Sequence, residues 1–264
     1  GLNYLLNEQQ DQAIDAFIEA VQKDPDTSEL HFALGNLFRR RGEYERAVRV
    51  HEHLLSRADL SNSDRERAQH ALSLDFLKAG LLDRAEDALR KLEGTRYQEQ
   101  AWLTLLALHE RSRDWPQAAD TARRLQQAGQ GDFTGRLAHY LCEQADHALN
   151  KKKDPVAARQ LLEQAIADNP GAARPRIQLA GLMTAQGDMA GAFEQLARLE
   201  PHAPQALPLV ASELVRIGQD SGQTARATDL LRRSYAATPS IDVADALVQA
   251  EVVTGTPMQQ AREG

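Results

Sequence analysis

The sequence has a single cysteine, few aromatic residues and no long apolar run. Cys142 alone forms neither an intramolecular disulfide nor a zinc site of the CxxC type. The longest apolar stretch, AWLTLLAL at 101–108, is far shorter than the roughly 20 residues that a helix needs to cross a bilayer. We therefore expect no direct membrane insertion by this chain. Aromatic residues make up only 5% of its 264 residues, which favours helices over a β-sandwich.

The sequence also lacks common enzyme motifs and an excess of basic over acidic residues. The sequence contains no GxxxxGK[ST], no GxSxG and no HExxH, so we expect no enzyme and no cofactor in this chain. Its formal net charge is −7, whereas a nucleic-acid binder usually presents a basic stripe. Nucleic acid is therefore not an expected partner.

What the sequence does have is an internal repeat. Alanines recur at intervals of 33 to 40 residues, and we call them marker alanines: Ala13, Ala47, Ala85, Ala118, Ala158, Ala192, Ala227 and Ala261. Thirteen residues before several of them stands a leucine, namely Leu34, Leu72, Leu105, Leu179 and Leu214. Twelve residues after several stands a helix-ending proline, namely Pro25, Pro170, Pro204 and Pro239. This register predicts a helix–turn–helix unit of about 34 residues.

The spacing resembles the tetratricopeptide repeat. Residues 1–25 match its pattern at Gly1, Tyr4, Ala13, Phe17, Ala20 and Pro25. The resemblance predicts an all-α, right-handed superhelical solenoid of about eight repeats in one array, 1–264. The expected repeats are 1–27 (partial), 28–61, 66–98, 99–132, 139–172, 173–206, 208–241 and 242–264 (partial). Both ends interrupt a repeat, so we expect further chain on either side.

Small residues inside the apolar runs predict close helix crossings. Gly35 would leave room for side chains of the neighbouring helix, and Ala47 would do the same toward the next repeat. Two junctions exceed the period, and we expect the extra residues in the loops near 56–66 and 126–135.

A basic groove is the main candidate binding site. In tetratricopeptide arrays the first helix of each repeat lines a concave groove, and counting back from the marker alanines places ten residues on or near that face. They are Asn36, Arg39, Arg40, Arg67, His70, Lys78, Arg111, Tyr140, Glu143 and His147. Such a groove would receive an acidic or carboxylate-bearing peptide. Alternatively, the arginines at 39–41 complement the dipole at a helix C-terminus.

Other polar side chains carry weaker hypotheses. His139, Glu143 and His147 are spaced four apart, so they share a helix face that can hold a metal, but a polar stripe explains them better. Cys142 falls in a core-facing slot. His51 and His53 point in different directions, so we interpret them as surface or interface residues rather than ligands.

Four stretches resemble more than a generic repeat: GLNYLLNEQQDQAIDAF, LGNLFRRRGEYERAVRVHEHLL, AGLLDRAEDAL and AHYLCEQA. They are similar to the lipopolysaccharide assembly protein B family of Gram-negative bacteria. The resemblance implies a non-enzymatic adaptor at the cytoplasmic face of the inner membrane, anchored by an N-terminal helix absent from this chain. Its implied partners are the LpxC deacetylase, the FtsH protease and other inner-membrane lipopolysaccharide proteins. The family's rubredoxin-like zinc module would also lie outside this chain.

A second binding class stays open. Asn36 with Arg67 is similar to part of the clamp by which co-chaperone-like tetratricopeptide modules hold the C-terminal carboxylate of a peptide. The other basic and amide residues of such a clamp are not all present.

Overall fold

The computed structural model describes residues 12, 16, 18–20 and 27–254. Between residues 28 and 254 it contains fourteen α-helices, one π turn and one 3-10 turn, and the described residues include no strand. The all-α tetratricopeptide fold is thus confirmed. The predicted markers Ala13, Pro25 and Ala261 lie outside the described residues.

The fourteen helices follow one another with short connections. They are α1 (Ser28–Arg40), α2 (Tyr44–Ser56), α3 (Asn62–Ala79), α4 (Leu82–Arg90), α5 (Gln98–Ser112), α6 (Trp115–Gln127), α7 (Thr134–His147), α8 (Pro155–Asp168), α9 (Ala173–Ala185), α10 (Met189–Ala197), α11 (Leu199–His202), α12 (Leu207–Asp220), α13 (Thr224–Ala237) and α14 (Ile241–Thr254). The π turn is Ala148–Lys152, and the 3-10 turn is Pro204–Ala206. None of these helices is long and apolar enough to cross a membrane.

The chain forms two compact units, Gly1–Gln130 and Gly131–Gly264. In the first unit α1 packs on α2, α2 on α3, α3 on α4, and α5 on α6. In the second unit α7 packs on α8, α9 on α10, and α12 on both α13 and α14. A single array running through both units stays a prediction.

The marker residues form the core of both units. The marker alanines from 47 to 227 are at most 1% exposed, because each lies where two helices cross closely. The leucines thirteen residues earlier are also buried, with 0 to 7% of their surface exposed. The periodicity of the sequence therefore identified the buried face of each helix pair.

Each helix pair turns through a residue with positive φ, five positions before its marker alanine. These residues are Gly42, Gly80, Arg113, Lys153, Gly187 and Gly222. Four are glycines, which reach this region without a steric penalty. Arg113 at φ 58° and Lys153 at φ 55° adopt the same left-handed geometry with a side chain. The turn, rather than the residue type, is what repeats.

Caps and prolines set the helix ends. Asp114, Asp154 and Asp188 each accept a hydrogen bond from a backbone N–H three residues later, which satisfies a free donor at the start of α6, α8 and α10. α8 ends two residues before Pro170, and α13 ends two residues before Pro239. The prediction that these prolines follow helix ends is confirmed.

The longer junctions lengthen helices, so their predicted placement in loops is wrong. α3 has 18 residues, and the 14 residues of α7 continue into the five-residue π turn. The first helices of the other pairs have only 13 to 15 residues. Consequently α3 begins at Asn62 and α7 at Thr134, before the expected repeat starts at 66 and 139. A π turn absorbs inserted residues without breaking the helix.

Candidate functional site

Gly35 leaves room for a histidine ring. A β-carbon built on Gly35 would lie 2.4 Å from Nε2 of His51, which confirms that the neighbouring helix needs the space. His51 is fully buried, so its interpretation as a surface or interface residue is wrong. The ring fills the volume above the glycine. His53 is exposed and stacks on His31 at 5.6 Å between ring centroids.

Asp75 is the centre of a buried polar cluster that joins α1, α2 and α3. Its Oδ1 accepts a hydrogen bond from Nη1 of Arg39 at 2.7 Å, and its Oδ2 lies 2.5 Å from Nδ1 of His51. The Arg39 guanidinium also donates to the carbonyl oxygen of Ala71 at 3.1 Å. Asp75 is 0% exposed. The carboxylate therefore compensates a cation and a ring N–H at once, inside the core.

The contacts of His51 indicate its tautomer. Nδ1 lies against the Asp75 carboxylate that also accepts a hydrogen bond from Arg39, so Nδ1 is the nitrogen that donates in this contact. Nε2 is buried and has no hydrogen-bond partner among the described residues. A second N–H there would be an uncompensated donor, whereas a bare acceptor costs less. We assign the donor role to Nδ1 and the acceptor role to Nε2, which lies over Gly35.

Several of the predicted groove residues are engaged within the protein. Arg39 is not a free cation, because Asp75 holds it and its side chain is only 18% exposed, and its place in a groove stays a prediction. Its Nη2 donates to Oδ1 of Asn36. Arg67 donates to Glu29 at 2.5 Å, and its guanidinium carbon lies 4.0 Å from the ring centroid of Phe32.

His70 lies beside this cluster on α3. Its ring stacks on Tyr97 with 4.4 Å between centroids. Burial lowers the pKa of His70, and the positive charge of Arg39 lowers it further. The side chain therefore favours its neutral form and offers a partly buried, uncharged ring rather than a cation.

Three predicted cations remain exposed. Arg40, Lys78 and Arg111 lie in the last turns of α1, α3 and α5. None of the three forms an ion pair with any residue that the structure describes. Each also complements the dipole of its own helix C-terminus. The dipole interpretation, made for the arginines at 39–41, thus fits Arg40, while the place of all three cations in a binding groove stays a prediction.

The predicted residues of the second unit form a different arrangement. Tyr140 is wrong as a groove residue, because it is 1% exposed and packs inside the unit. Arg174 of α9 donates to Glu143 at 2.7 Å and approaches Nδ1 of His139 at 2.8 Å. A guanidinium thus lies on the face proposed for a metal, while His147 is exposed. Across the described residues no group of three or more His, Cys, Asp or Glu side chains is placed to hold a metal ion.

Comparisons with known proteins give the family. Tetratricopeptide-repeat models match residues 1–50 and 149–216. Lipopolysaccharide assembly protein B of Escherichia coli (strain K12) is 35% identical over 236 residues, which are 89% of this chain and 60% of that protein. The chain belongs to the lipopolysaccharide assembly protein B family. It spans 60% of the length of that relative.

One further relative belongs to this family, and one solved structure is similar in fold. The protein of that name from Haemophilus influenzae (strain ATCC 51907 / DSM 11121 / KW20 / Rd) is 29% identical over 71% of this chain and 49% of its own length. The solved structure of Naa15/Naa10 bound to HypK-THB matches with a TM-score of 0.53 and 15% identity, over 94% of this chain and 38% of that chain. The second likeness concerns the fold alone.

Cys142 of this lipopolysaccharide assembly protein B homologue is a core residue, as its position in the sequence predicted. It is 0% exposed, and burial raises the pKa of its thiol to about 11 from a usual value of 9.0. A thiol that stays protonated at neutral pH is a poor nucleophile. Its place in the core therefore gives Cys142 a packing role.

The raised pKa predicts a loss of stability at alkaline pH. Above pH 9 the thiol ionises in the unfolded chain while it stays protonated in the folded chain up to about pH 11. Stability is therefore lost as the pH rises through this window and levels off above it, by about 2 kcal/mol at pH 10.5. Urea unfolding followed by circular dichroism at pH 8 and pH 10.5 measures the loss. The Cys142→Ala variant should lose about 2 kcal/mol less than the parent between the two pH values, and equal losses would contradict the assignment.

Proposed function

We propose that this chain is the non-enzymatic binding part of an adaptor that regulates lipopolysaccharide synthesis. In this proposal it binds the LpxC deacetylase and promotes its degradation by the FtsH protease at the cytoplasmic face of the inner membrane. Membership of the lipopolysaccharide assembly protein B family supports the process, and the tetratricopeptide fold supports a binding role over catalysis.

The observation that carries the proposal is the row of exposed cations on the first helices of the first unit. Arg40, Lys78 and Arg111 occupy the last turns of α1, α3 and α5. Their charges are not compensated by described residues, so an acidic partner segment gains Coulomb energy without breaking an internal ion pair. Arg39 contributes no such gain, because Asp75 already holds it.

The helices that carry these cations are held rigidly by core packing. A preformed surface loses little conformational entropy when a partner binds, so even a few charge-assisted contacts yield useful affinity. Holding a substrate close to a protease also raises its effective concentration there. Neither effect requires a catalytic group in this chain.

Charge reversal of the row tests this proposal. We expect the triple variant Arg40→Glu, Lys78→Glu, Arg111→Glu to bind purified LpxC at least about tenfold more weakly in isothermal titration calorimetry, since rim charges are worth up to a few kcal/mol together. The difference in LpxC affinity between the parent and the variant should become smaller at high salt, because exposed charges are screened there. Helicity measured by circular dichroism should match the parent.

The matched control places the same charge change elsewhere. Arg49, Lys91 and Arg198 are exposed cations outside the first helices, and none has an ion-pair partner among the described residues. Reversing these three should leave LpxC affinity within about twofold. Equal binding by the parent and both variants would move the site away from the row. Absence of any binding would contradict the adaptor role of this chain, provided that LpxC is natively folded and active.

The rival function is a clamp for the C-terminal carboxylate of a peptide. Asn36 and Arg67 are the residues that would form it. Arg67 is already bound to Glu29, and Oδ1 of Asn36 accepts from Arg39, so this observation favours the adaptor instead. Amidating the C-terminus of the partner distinguishes the two, because only a carboxylate clamp would lose its binding.

A further inference from the structure

A cleft opens between α4, α5 and α6 in the first unit. Its volume is about 200 Å³. Apolar surface comes from Leu89, Trp102 and Leu105, and His109 lines it with them. An enclosed apolar cavity of about 150 Å³ is enough to hold benzene, and this cleft is larger but open, with polar as well as apolar walls. The cleft therefore has room for one aromatic ring.

His109 supplies an unused polar group to this cleft. The side chain is only 3% exposed, and neither ring nitrogen has a hydrogen-bond partner among the described residues. A ligand hydroxyl that enters the cleft can therefore form a hydrogen bond with this ring without breaking a hydrogen bond within the protein. The side-chain amide of Gln117, at the mouth, is likewise without a partner among those residues.

The charges around the cleft favour a neutral occupant. Arg124 bonds both Glu93 at 2.9 Å and Asp120 at 3.0 Å, and Arg90 is paired with Glu86. The charged groups that line the cleft sum to zero and already have partners. A charged ligand would have to displace one of these ion pairs, whereas a neutral ring with one hydroxyl would not.

The preceding repeat contains a cleft at the same position, with a different floor. Its volume is about 180 Å³, and its floor is Phe76, which stands nine residues before a marker alanine as His109 does. The guanidinium of Arg84 covers this ring at 4.3 Å from its centroid. The two clefts are similar in size, and the aromatic floor of this one offers no hydrogen-bonding nitrogen.

We propose that the cleft over His109 is a binding site for a tyrosine side chain of a partner protein. The ring packs between Trp102 and Leu105, and the phenolic hydroxyl forms a hydrogen bond with the His109 imidazole. Aromatic anchors in small pockets are a common source of binding energy at protein interfaces. This site does not depend on the identity of the partner proposed above.

N-acetyl-tyrosinamide tests the site directly, with N-acetyl-phenylalaninamide as the matched probe. We expect the tyrosine probe to shift the NMR signals of the Trp102 indole and the Leu105 methyl groups, with at least about fivefold higher affinity than the phenylalanine probe. Signals around Phe76 in the neighbouring cleft should not distinguish the two probes. That cleft is an internal control in the same molecule.

The variant His109→Phe replaces the histidine of this cleft with phenylalanine, the residue type that Phe76 supplies in the neighbouring cleft. It should remove the preference for tyrosine over phenylalanine while keeping the fold, as judged by unchanged amide signals outside the cleft. Equal affinities of the two probes in the parent, retention of the preference in the variant, or shifts confined to other regions would each overturn the proposal. If the variant fails to fold, His109→Leu provides the same apolar floor with a smaller side chain.

Discussion

Replacing Asp75 by asparagine is expected to lower the free energy of unfolding of the first unit by about 3 kcal/mol. The substitution leaves the Arg39 guanidinium, which is 18% exposed, without its carboxylate, and removes the charge that polarises the His51 N–H. Breaking a buried ion pair at one partner typically costs about 3–5 kcal/mol, and the partial exposure of Arg39 puts the expectation at the lower end.

Tryptophan fluorescence during urea unfolding measures this loss selectively. Trp102 and Trp115 are the two tryptophans of the chain, and both lie in the first unit. Asp87→Asn is the matched control, because Asp87 is exposed and its carboxylate has no partner among the described residues. The free energy of unfolding of the Asp87→Asn variant should stay within about 0.5 kcal/mol of that of the parent. A similarly small effect at Asp75 would mean that water, rather than the carboxylate, compensates Arg39.

The same cluster changes how Arg39 can be studied. Charge reversal of Arg39 would place two carboxylates in contact inside the core, so any loss of partner binding would be mixed with loss of folding. Arg40 is adjacent in sequence but exposed, so charge reversal of Arg40 tests the role of surface charge in partner binding without disturbing the core. Neighbouring arginines of one motif thus have different roles, stabilisation for the first and surface charge for the second.

The fold was predictable because its signal is local and repeated. A marker alanine every 33 to 40 residues records where two helices cross, and this requirement is the same in each repeat. The positive-φ residue five positions earlier would have strengthened the prediction, since four of six are glycines. A search for glycine at this position would miss the turns at Arg113 and Lys153.

The site was less predictable because its contacts join distant residues. Arg39 and Asp75 are 36 positions apart, and a sequence shows a basic and an acidic residue without showing that they meet. The available signal was an aspartate inside the apolar run LSLDFL, where an unpaired carboxylate would be costly. Likewise, counting along α7 gave the helix face of Tyr140 but not the depth at which its neighbours bury it.

Gly35→Ala should lower the stability of the first unit by about 2 kcal/mol. The new methyl group would lie 2.4 Å from Nε2 and 2.5 Å from Cε1 of His51. The ring cannot turn away without losing Asp75, so the clash must be relieved by moving helices, and overpacking of this kind costs about 1–3 kcal/mol. A glycine in an open helical position behaves oppositely. Gly181 has no atom within 4 Å of a built β-carbon, so Gly181→Ala should raise stability by about 0.5–1 kcal/mol.

A double-mutant cycle with His51 separates the clash from every other consequence of the alanine. In a His51→Ala background the ring is gone, and Gly35→Ala should then become neutral or stabilising because alanine favours the helix by about 1 kcal/mol over glycine. The coupling free energy from the cycle, followed by tryptophan fluorescence in urea, should therefore be about 2 kcal/mol or more. Coupling near zero would show that the backbone of α1 requires glycine for another reason, and the close packing of Gly35 against His51 would not be what selects it.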